Sequence, residues 1–204
     1  MASEISSIIL FTGALVGLGG FGVSLFMAWK GVRWKRAELA STYFRELGSN
    51  PELVFACRAL EWRRGLLVVP LTLAPLWSGE RQCIEHDPDV MRRAMELGLG
   101  GDALRDDERL QIYRTTFDSL LYWMSSLHQA FERNLFDPDD LKLGGYWLGL
   151  IGEADFLHPF IVAYGYGEPL SDLRARYGLP PVDFSAAADG PRVSPPAVEL
   201  GVGG

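Results

Sequence analysis

Three residues in the last third of the sequence, Glu153, Asp155 and His158, are of types that bind metal ions. On a helix, Asp155 and His158 share one face with Glu153 close by, and carboxylate and imidazole groups at this spacing can ligate zinc. Pro159 is expected to break the helix there, and the local run lacks a third ligand. A helix cap with a hydrogen-bonded histidine is therefore favoured, and a metal or polar site is the alternative.

Other polar motifs give no clear indication of catalysis. The EHD triplet at 85–87 is typical of residues that cap a following helix. His128 lies among serines and a glutamine, without a partner that would activate a nucleophile. GLGG at 98–101 lacks the preceding strand and the following Lys-Ser/Thr of a phosphate-binding loop. We predict no catalytic residue, no metal, no cofactor and no enzymatic activity.

An uncharged stretch near the N-terminus determines where the rest of the chain, and any functional site in it, is located. Between Glu4 and Lys30 lie 25 residues without a charged side chain. As a helix they span about 37 Å, more than the roughly 30 Å hydrocarbon core of a bilayer. A cleaved signal peptide has a positive start and an apolar run of about 7–15 residues, whereas this chain begins MASE. We predict a single-pass transmembrane anchor in residues 1–31.

The flanks of this stretch predict its orientation. Four basic side chains follow it, and positive charge stays on the cytoplasmic side of a membrane. Two tryptophans lie among them, where indole rings favour the lipid–water interface. The predicted membrane-interface residues are Trp29, Lys30, Arg33, Trp34, Lys35 and Arg36. We expect the N-terminus outside and the remaining chain in the cytoplasm, with the helix in a bacterial inner membrane.

Small residues recur along one face of the predicted membrane helix. Their positions step by 4, 3, 4 and 4 residues: Gly13, Gly17, Gly20, Ser24 and Ala28. This spacing lets a second helix approach closely in lipid, which predicts a helix-packing face. The alternative is the glycine content that is ordinary for membrane helices. The span has no histidine, cysteine or ionisable side chain, so neither haem ligation nor ion conduction is indicated.

The pattern beyond the membrane predicts one cytoplasmic helical domain over residues 32–177. Residues 32–47, VRWKRAELASTYFREL, continue the anchor as a basic helix. Asn50–Pro51 and Asp87–Pro88 are cap-then-proline pairs that each begin a helix. The longest amphipathic stretch, 107–134, has an apolar seam at helical spacing: Phe117, Leu120, Met124, Leu127 and Phe131. Without strand alternation, we predict an all-α bundle of five or six helices.

Residues 65–79, GLLVVPLTLAPLWSG, form a second uncharged run. The run has only 15 residues and two prolines, so it is too short and too interrupted to cross a bilayer as a helix. A buried connector inside the domain is favoured. A segment that rests on the membrane surface, with Trp77 as its anchor, is the alternative.

Charge and composition exclude other classes of protein. The net charge is −7, and from Gly65 onward 11 basic residues face 21 acidic ones, so we predict no nucleic-acid partner. Cys57 and Cys83 lie too far apart for a metal-binding or redox motif. We expect buried thiols in a reducing compartment, with a single disulfide as the alternative. From Gly178 the chain is rich in proline, glycine, alanine and serine, which predicts a disordered tail over 178–204.

Two segments carry a resemblance: the basic WKRAELASTYFRELGSNPEL after the anchor, and FDSLLYWMSSLHQAFERNLFDPDDL. The chain resembles a group of uncharacterised bacterial proteins with one N-terminal membrane helix and a cytoplasmic helical bundle, and this resemblance implies no activity. We predict a membrane-anchored accessory or scaffolding subunit that acts through helix contacts. Its partners are the bilayer and a membrane protein or a second copy. The alternative is a membrane-tethered enzyme or effector with its site at Glu153, Asp155 and His158.

Overall fold

The computed structural model describes residues 2–99 and 101–184, except for the side chains of residues 2–20, 22, 23, 101 and 103. This part of the chain is mostly helical, which confirms the all-α prediction in its coarse form. Its α-helices are α1 (Ala2–Ser49), α2 (Pro51–Glu61), α3 (Pro88–Ala94), α4 (Gly101–Asp106), α5 (Glu108–Glu132), α6 (Lys142–Glu153), α7 (His158–Ala163) and α8 (Gly167–Arg176). In the described residues seven helices thus follow α1 instead of five or six, because α4 has only six residues and is too short to show a periodic pattern.

Among the residues of α1 whose side chains are described, those that pack against the domain lie in its C-terminal part. The packed residues step by 4, 3 and 4 along one face of the helix: Arg36, Ala40, Tyr43 and Leu47. Arg36 Nη1 lies 3.0 Å from Asp137 Oδ2, and the Tyr43 hydroxyl donates to the Ser126 carbonyl at 3.4 Å. The helix is uninterrupted from Ala2 to Ser49, which confirms that residues 32–47 continue it.

Side-chain caps begin the helices where the sequence predicts them. Asn50 Oδ1 accepts a hydrogen bond from the Glu52 amide at 3.0 Å, with Pro51 at the first position of α2. Asp87 and Asp107 each accept from two backbone N–H groups at the starts of α3 and α5. Such bonds satisfy donors that a helix leaves unpaired at its N-terminus.

Helix α5 lies at the centre of the core. Its predicted seam is buried along its whole length, each side chain being at most 2% exposed: Phe117, Leu120, Met124, Leu127 and Phe131. Helices α2, α3 and α8 all pack against α5. Burial of each large apolar side chain contributes about 1.5–3 kcal/mol, so α5 anchors the domain.

A small antiparallel sheet departs from the all-α prediction. Strand β1 (Leu66–Val68) pairs with β2 (Cys83–Glu85), with Leu67 opposite Ile84. Both of these central residues are buried. Three residues are too few for an alternating pattern to be visible, and the pairing depends on a partner further along the chain.

Residues 65–79 are packed on one side only, with a 3₁₀ helix at Leu71–Leu76. Four apolar side chains of this segment are buried in the core: Leu67, Val69, Pro70 and Leu73. Leu66, Val68 and Leu71 are exposed on the other side. The Trp77 indole N–H donates to the Arg81 carbonyl at 2.6 Å. The burial supports the interpretation as a connector.

The chain stays packed beyond Gly178, where we predict that the tail begins. The Arg174 guanidinium donates to the Pro180 carbonyl through Nε (3.1 Å) and Nη2 (2.8 Å). The Phe184 ring is buried against His158, with ring centroids 5.0 Å apart. The predicted start is therefore too early, because one buried aromatic ring outweighs the proline-rich composition around it. Residues 185–204 lie outside the described residues.

Among the residues whose side chains are described, no helix is both long enough and apolar enough to cross a membrane. Most of the predicted span between Glu4 and Lys30 falls on residues 2–20, 22 and 23, whose side chains lie outside the description. The transmembrane anchor therefore stays a prediction.

Candidate functional site

The predicted membrane-interface residues lie on the part of α1 that projects from the domain. Arg33 Cζ lies 4.8 Å from the centre of the Trp29 ring, which places a cation over an indole face. Trp34 is 74% exposed. Arg36 differs because its ion pair with Asp137 partly covers it, so it marks the point where α1 docks. The exposed members of the set are Trp29, Lys30, Arg33, Trp34 and Lys35.

The predicted helix-packing face is described only at its C-terminal end. Ser24 and Ala28 are exposed on α1. Gly13, Gly17 and Gly20 belong to the same helix but lie outside the residues whose side-chain surroundings are described. The structure therefore leaves this face as a prediction.

The three candidate metal ligands do not converge. Glu153 ends α6 and Asp155 begins the 3₁₀ helix Asp155–Leu157, and both side chains are exposed. His158 is buried instead, with Nε2 3.2 Å from the Gly152 carbonyl and its ring against Phe184. The described residues contain no group of three His, Cys, Asp or Glu side chains suited to a metal ion. The favoured interpretation of a hydrogen-bonded histidine is confirmed.

The other histidine and the two cysteines considered in the sequence analysis take part in packing and do not form a site. His128 Nε2 lies 3.3 Å from Asp172 Oδ2, which joins α5 to α8. Cys57 and Cys83 are free thiols, Cys57 buried and Cys83 half-buried. Burial raises the pKa of the Cys57 thiol to about 12, so it stays protonated and unreactive at neutral pH.

A polar cavity of about 570 Å³ lies at the N-terminal end of α5. Three segments converge on it: the residues after α2, the stretch from β2 into α3, and the first turn of α5. Arginine guanidinium groups bind carboxylate and phosphate oxygens through paired hydrogen bonds. The cavity is lined chiefly by Arg63, Arg64, Glu85, His86, Asp87 and Arg109.

His86 forms the inner wall of this cavity and is only 3% exposed. Its Nδ1 lies 2.8 Å from the Tyr113 hydroxyl oxygen, which also accepts from the Asp87 amide at 3.4 Å. We assign the hydroxyl as the donor to Nδ1, which places the imidazole proton on Nε2. That Nε2–H has no hydrogen-bond partner among the described residues.

The protonation states of this pair follow from burial. Burial lowers the pKa of His86, although the Trp62 carbonyl and the Asp87 carboxylate oppose the shift. That carbonyl acts on the ring without meeting hydrogen-bond geometry at Nε2. Burial also raises the pKa of the Tyr113 hydroxyl to about 12. Both groups are neutral at pH 7, and each serves as a hydrogen-bonding group.

A second, more apolar cavity of about 380 Å³ adjoins the first. The two share Arg63, His86 and Pro88. Glu153, one of the candidate metal ligands, lies at the wall of the second cavity. Its apolar lining includes Leu60, Trp62, Met91, Leu150 and Phe156.

The sequence did not indicate a shared site at these cavities, because EHD at 85–87 was interpreted as capping residues and Glu153 as part of another candidate set. Arg63 and Arg64 follow α2 without any motif around them, and His86 reads as a neighbour of the Asp87 cap. The His86–Tyr113 contact joins residues 27 positions apart. The available local signal, a histidine directly after a three-residue strand, does not reveal such a contact.

No protein-family model matches the chain, and no curated protein or solved structure is significantly similar to it.

Proposed function

We propose that this protein is a single-pass, membrane-anchored accessory or scaffolding subunit that acts through helix-mediated protein–protein contacts and not as an enzyme. One observation carries the proposal: α1 projects from the domain with large apolar side chains left uncovered. Among the described side chains from Phe21 to Trp34, those that are more than half exposed are Phe21, Leu25, Phe26, Met27, Trp29, Val32 and Trp34. An apolar surface of this extent on one helix needs a lipid or protein environment.

The finer assignment rests on sequence and physical chemistry. Residues 1–31 form the anchor, because the uncharged stretch between Glu4 and Lys30 exceeds the thickness of a bilayer core as a helix. Lys30, Arg33 and Lys35 stay on the cytoplasmic side, so the N-terminus is outside and the domain is cytoplasmic. The membrane is the inner membrane of a bacterium.

The geometry of the domain supports the connector interpretation of residues 65–79 over the membrane-surface one. Helix α1 leaves the domain at the C-terminal end of α5, where Tyr43 meets Ser126. The segment reaches the opposite end, where the amide of Ser78, near its C-terminal end, donates to Glu108 Oε2 at 2.7 Å. Between Glu108 and Ser126, α5 is about 27 Å long at about 1.5 Å per residue. The end of the segment therefore points away from the proposed membrane.

The partner is a second membrane helix, from another protein or from a second copy of this chain. The small-residue face supports this choice, since it is the surface that would admit a close helix contact. The alternative enzyme with a site at Glu153, Asp155 and His158 gains no such support, because His158 Nε2 is directed to the Gly152 carbonyl.

A topology and assembly experiment tests the proposal. A reporter that is active only outside the membrane, fused after Gly204, is expected to stay silent, whereas one active only in the cytoplasm gives signal. The fusion must follow residue 184, because Phe184 is part of the core. After mild detergent extraction, the chain is expected to elute as an oligomer or with a partner. The proposal would be overturned if the protein stayed in the supernatant without detergent. A clean monomer after detergent extraction would also overturn it.

A further inference from the structure

The two adjoining cavities next to α5 have complementary character. The first, of about 570 Å³, is polar and carries three arginines, and the second, of about 380 Å³, is largely apolar. His86 and Arg63 line both, so one molecule can reach from one into the other. Sites for small ligands have volumes in this range, with a few polar groups set in an apolar lining.

The arginine charges of the polar cavity are poorly compensated. Arg63 and Arg64 are exposed and form no ion pair with the described residues. Arg109 Nε lies 3.7 Å from Asp107 Oδ1, a long contact. The guanidinium groups are therefore available to an anionic group, although the lining carries as many carboxylates as arginines.

The three carboxylates at the same cavity, those of Glu85, Asp87 and Asp89, form no ion pair with these arginines. Asp87 Oδ1 is engaged as the cap of α3, accepting from the Asp89 amide at 2.9 Å. The Asp89 side chain is 92% exposed and lies 3.8 Å from Arg92. Glu85 is exposed on β2. None of the three lies within ion-pair distance of Arg63, Arg64 or Arg109.

His86 supplies the observation that points to a ligand. It is almost fully buried at the junction of the two cavities, and its Nε2–H lacks a partner among the described residues. An unsatisfied buried donor is costly, typically by about 1–3 kcal/mol. Such a group is ordinarily paired. An oxygen of a bound anion would pair it once the cavity wall moves enough to uncover Nε2, which is covered in this structure.

We propose that the two cavities form one binding site for a small organic anion. Its carboxylate or phosphate group binds Arg63, Arg64 and Arg109 and accepts a hydrogen bond from His86 Nε2–H. Its apolar part, of about one aromatic ring, lies in the second cavity against Met91 and Phe156. The site would respond to a soluble ligand at the end of the domain far from α1, independently of whether α1 crosses a membrane.

Titration calorimetry of the full-length chain in a mild non-ionic detergent, at constant ionic strength, tests the site. The probes are phenyl phosphate, benzoate, inorganic phosphate and benzyl alcohol. Phenyl phosphate or benzoate is expected to bind with a Kd on the order of a millimolar. Each should bind at least about tenfold more tightly than inorganic phosphate or benzyl alcohol, since only the first two carry both an anionic group and an apolar ring. The tighter of the two identifies the anionic group. Absence of saturable binding by both, or equal binding of inorganic phosphate, overturns the proposal.

Variants with a matched control separate a site from general charge attraction. The double variant Arg63→Gln/Arg64→Gln is expected to weaken binding at least about tenfold. Arg93→Gln/Arg105→Gln removes the same charge at exposed positions outside both cavities and should leave Kd unchanged. An equal effect of both pairs contradicts the site. In the unmodified protein, the ¹⁵N signal of His86 Nε2 should shift on saturation, and an unmoved signal removes His86 from the site.

Discussion

Arg174 shows how one buried charge joins three segments of the domain. The side chain is only 5% exposed. Its Nη1 donates to the Leu148 carbonyl of α6 at 2.5 Å, and its Nη2 to the Pro180 carbonyl beyond α8 at 2.8 Å. Burial lowers the pKa of Arg174, although the nearby Glu153 carboxylate opposes the shift. Hydrogen bonds to a charged group are worth about 1.5–3 kcal/mol each.

Two glycines of α6 allow this arrangement to be tested. A Cβ at position 152 would lie 2.1 Å from Arg174 Nη1, whereas one at position 149 meets nothing within 4 Å. Gly152→Ala is therefore expected to lower the free energy of unfolding by about 1–3 kcal/mol, because the guanidinium must leave its carbonyls. Gly149→Ala should raise it by about 0.5–1 kcal/mol, the usual gain in a helix. Urea unfolding measures both, and equal effects would contradict the tight contact.

The buried His86 predicts a dependence of stability on pH. Burial lowers its pKa from the ordinary 6.5 in the folded state, so the unfolded chain binds more protons between the two values. Stability that is present above about pH 6.5 is therefore lost as the pH falls through the folded pKa, at about 1.4 kcal/mol per pKa unit of difference.

His86→Gln removes this titration while the amide oxygen can still accept from the Tyr113 hydroxyl. The variant is expected to lose less stability than the unmodified protein between pH 7 and pH 5, as measured by urea midpoints at each pH. Parallel pH profiles for the two would show that His86 does not contribute to the dependence.

Helix starts are the elements with the most direct link from sequence to stability. Asp107 accepts from the Arg109 amide at 3.0 Å and the Leu110 amide at 3.4 Å, which caps α5. Asp107→Ala is expected to destabilise the domain by about 1 kcal/mol, or roughly 2–4 °C in Tm for a domain of this size. The neighbouring Asp106 is exposed and ends α4, so Asp106→Ala should leave Tm nearly unchanged. Similar shifts for both would indicate a general charge effect.

The elements that could be predicted are those encoded by local pattern. The caps at Asn50 and Asp87 and the seam of α5 depend on residues within a few positions of one another, so the sequence contains them in full. The β1–β2 pair was missed because three-residue strands show no period and gain their hydrogen bonds from each other. The candidate site was missed for the same reason, since Arg63, His86 and Arg109 meet only through the packing of α2 and α3 on α5.

At the scale of the whole molecule, the two ends of the domain differ in the residues that they expose. Helix α1 leaves the domain near Ser126, and the part of the helix before Arg36 exposes apolar and basic side chains. The proposed anion site lies beside Arg109 and Tyr113, near the other end of α5. If α1 is embedded in the membrane, the site opens toward the cytoplasm, where a soluble ligand can reach it. A scaffold that is held at one end and binds a small molecule at the other could report that ligand to its membrane partner.

The small-residue face gives the last prediction. If it packs against another helix, Gly17→Leu or Gly20→Leu should weaken assembly, because each side chain would hold the two backbones apart. Gly22→Leu lies on the opposite side of the helix and serves as the control. All three variants should still insert, because leucine favours the bilayer core. Polar contacts between membrane helices average only about 0.6 kcal/mol, so close packing must supply much of the association. A membrane dimerisation assay measures the loss of association with a second copy, and co-purification measures it for a different partner. If all three variants behave alike, the glycines reflect ordinary membrane-helix composition and α1 is only an anchor.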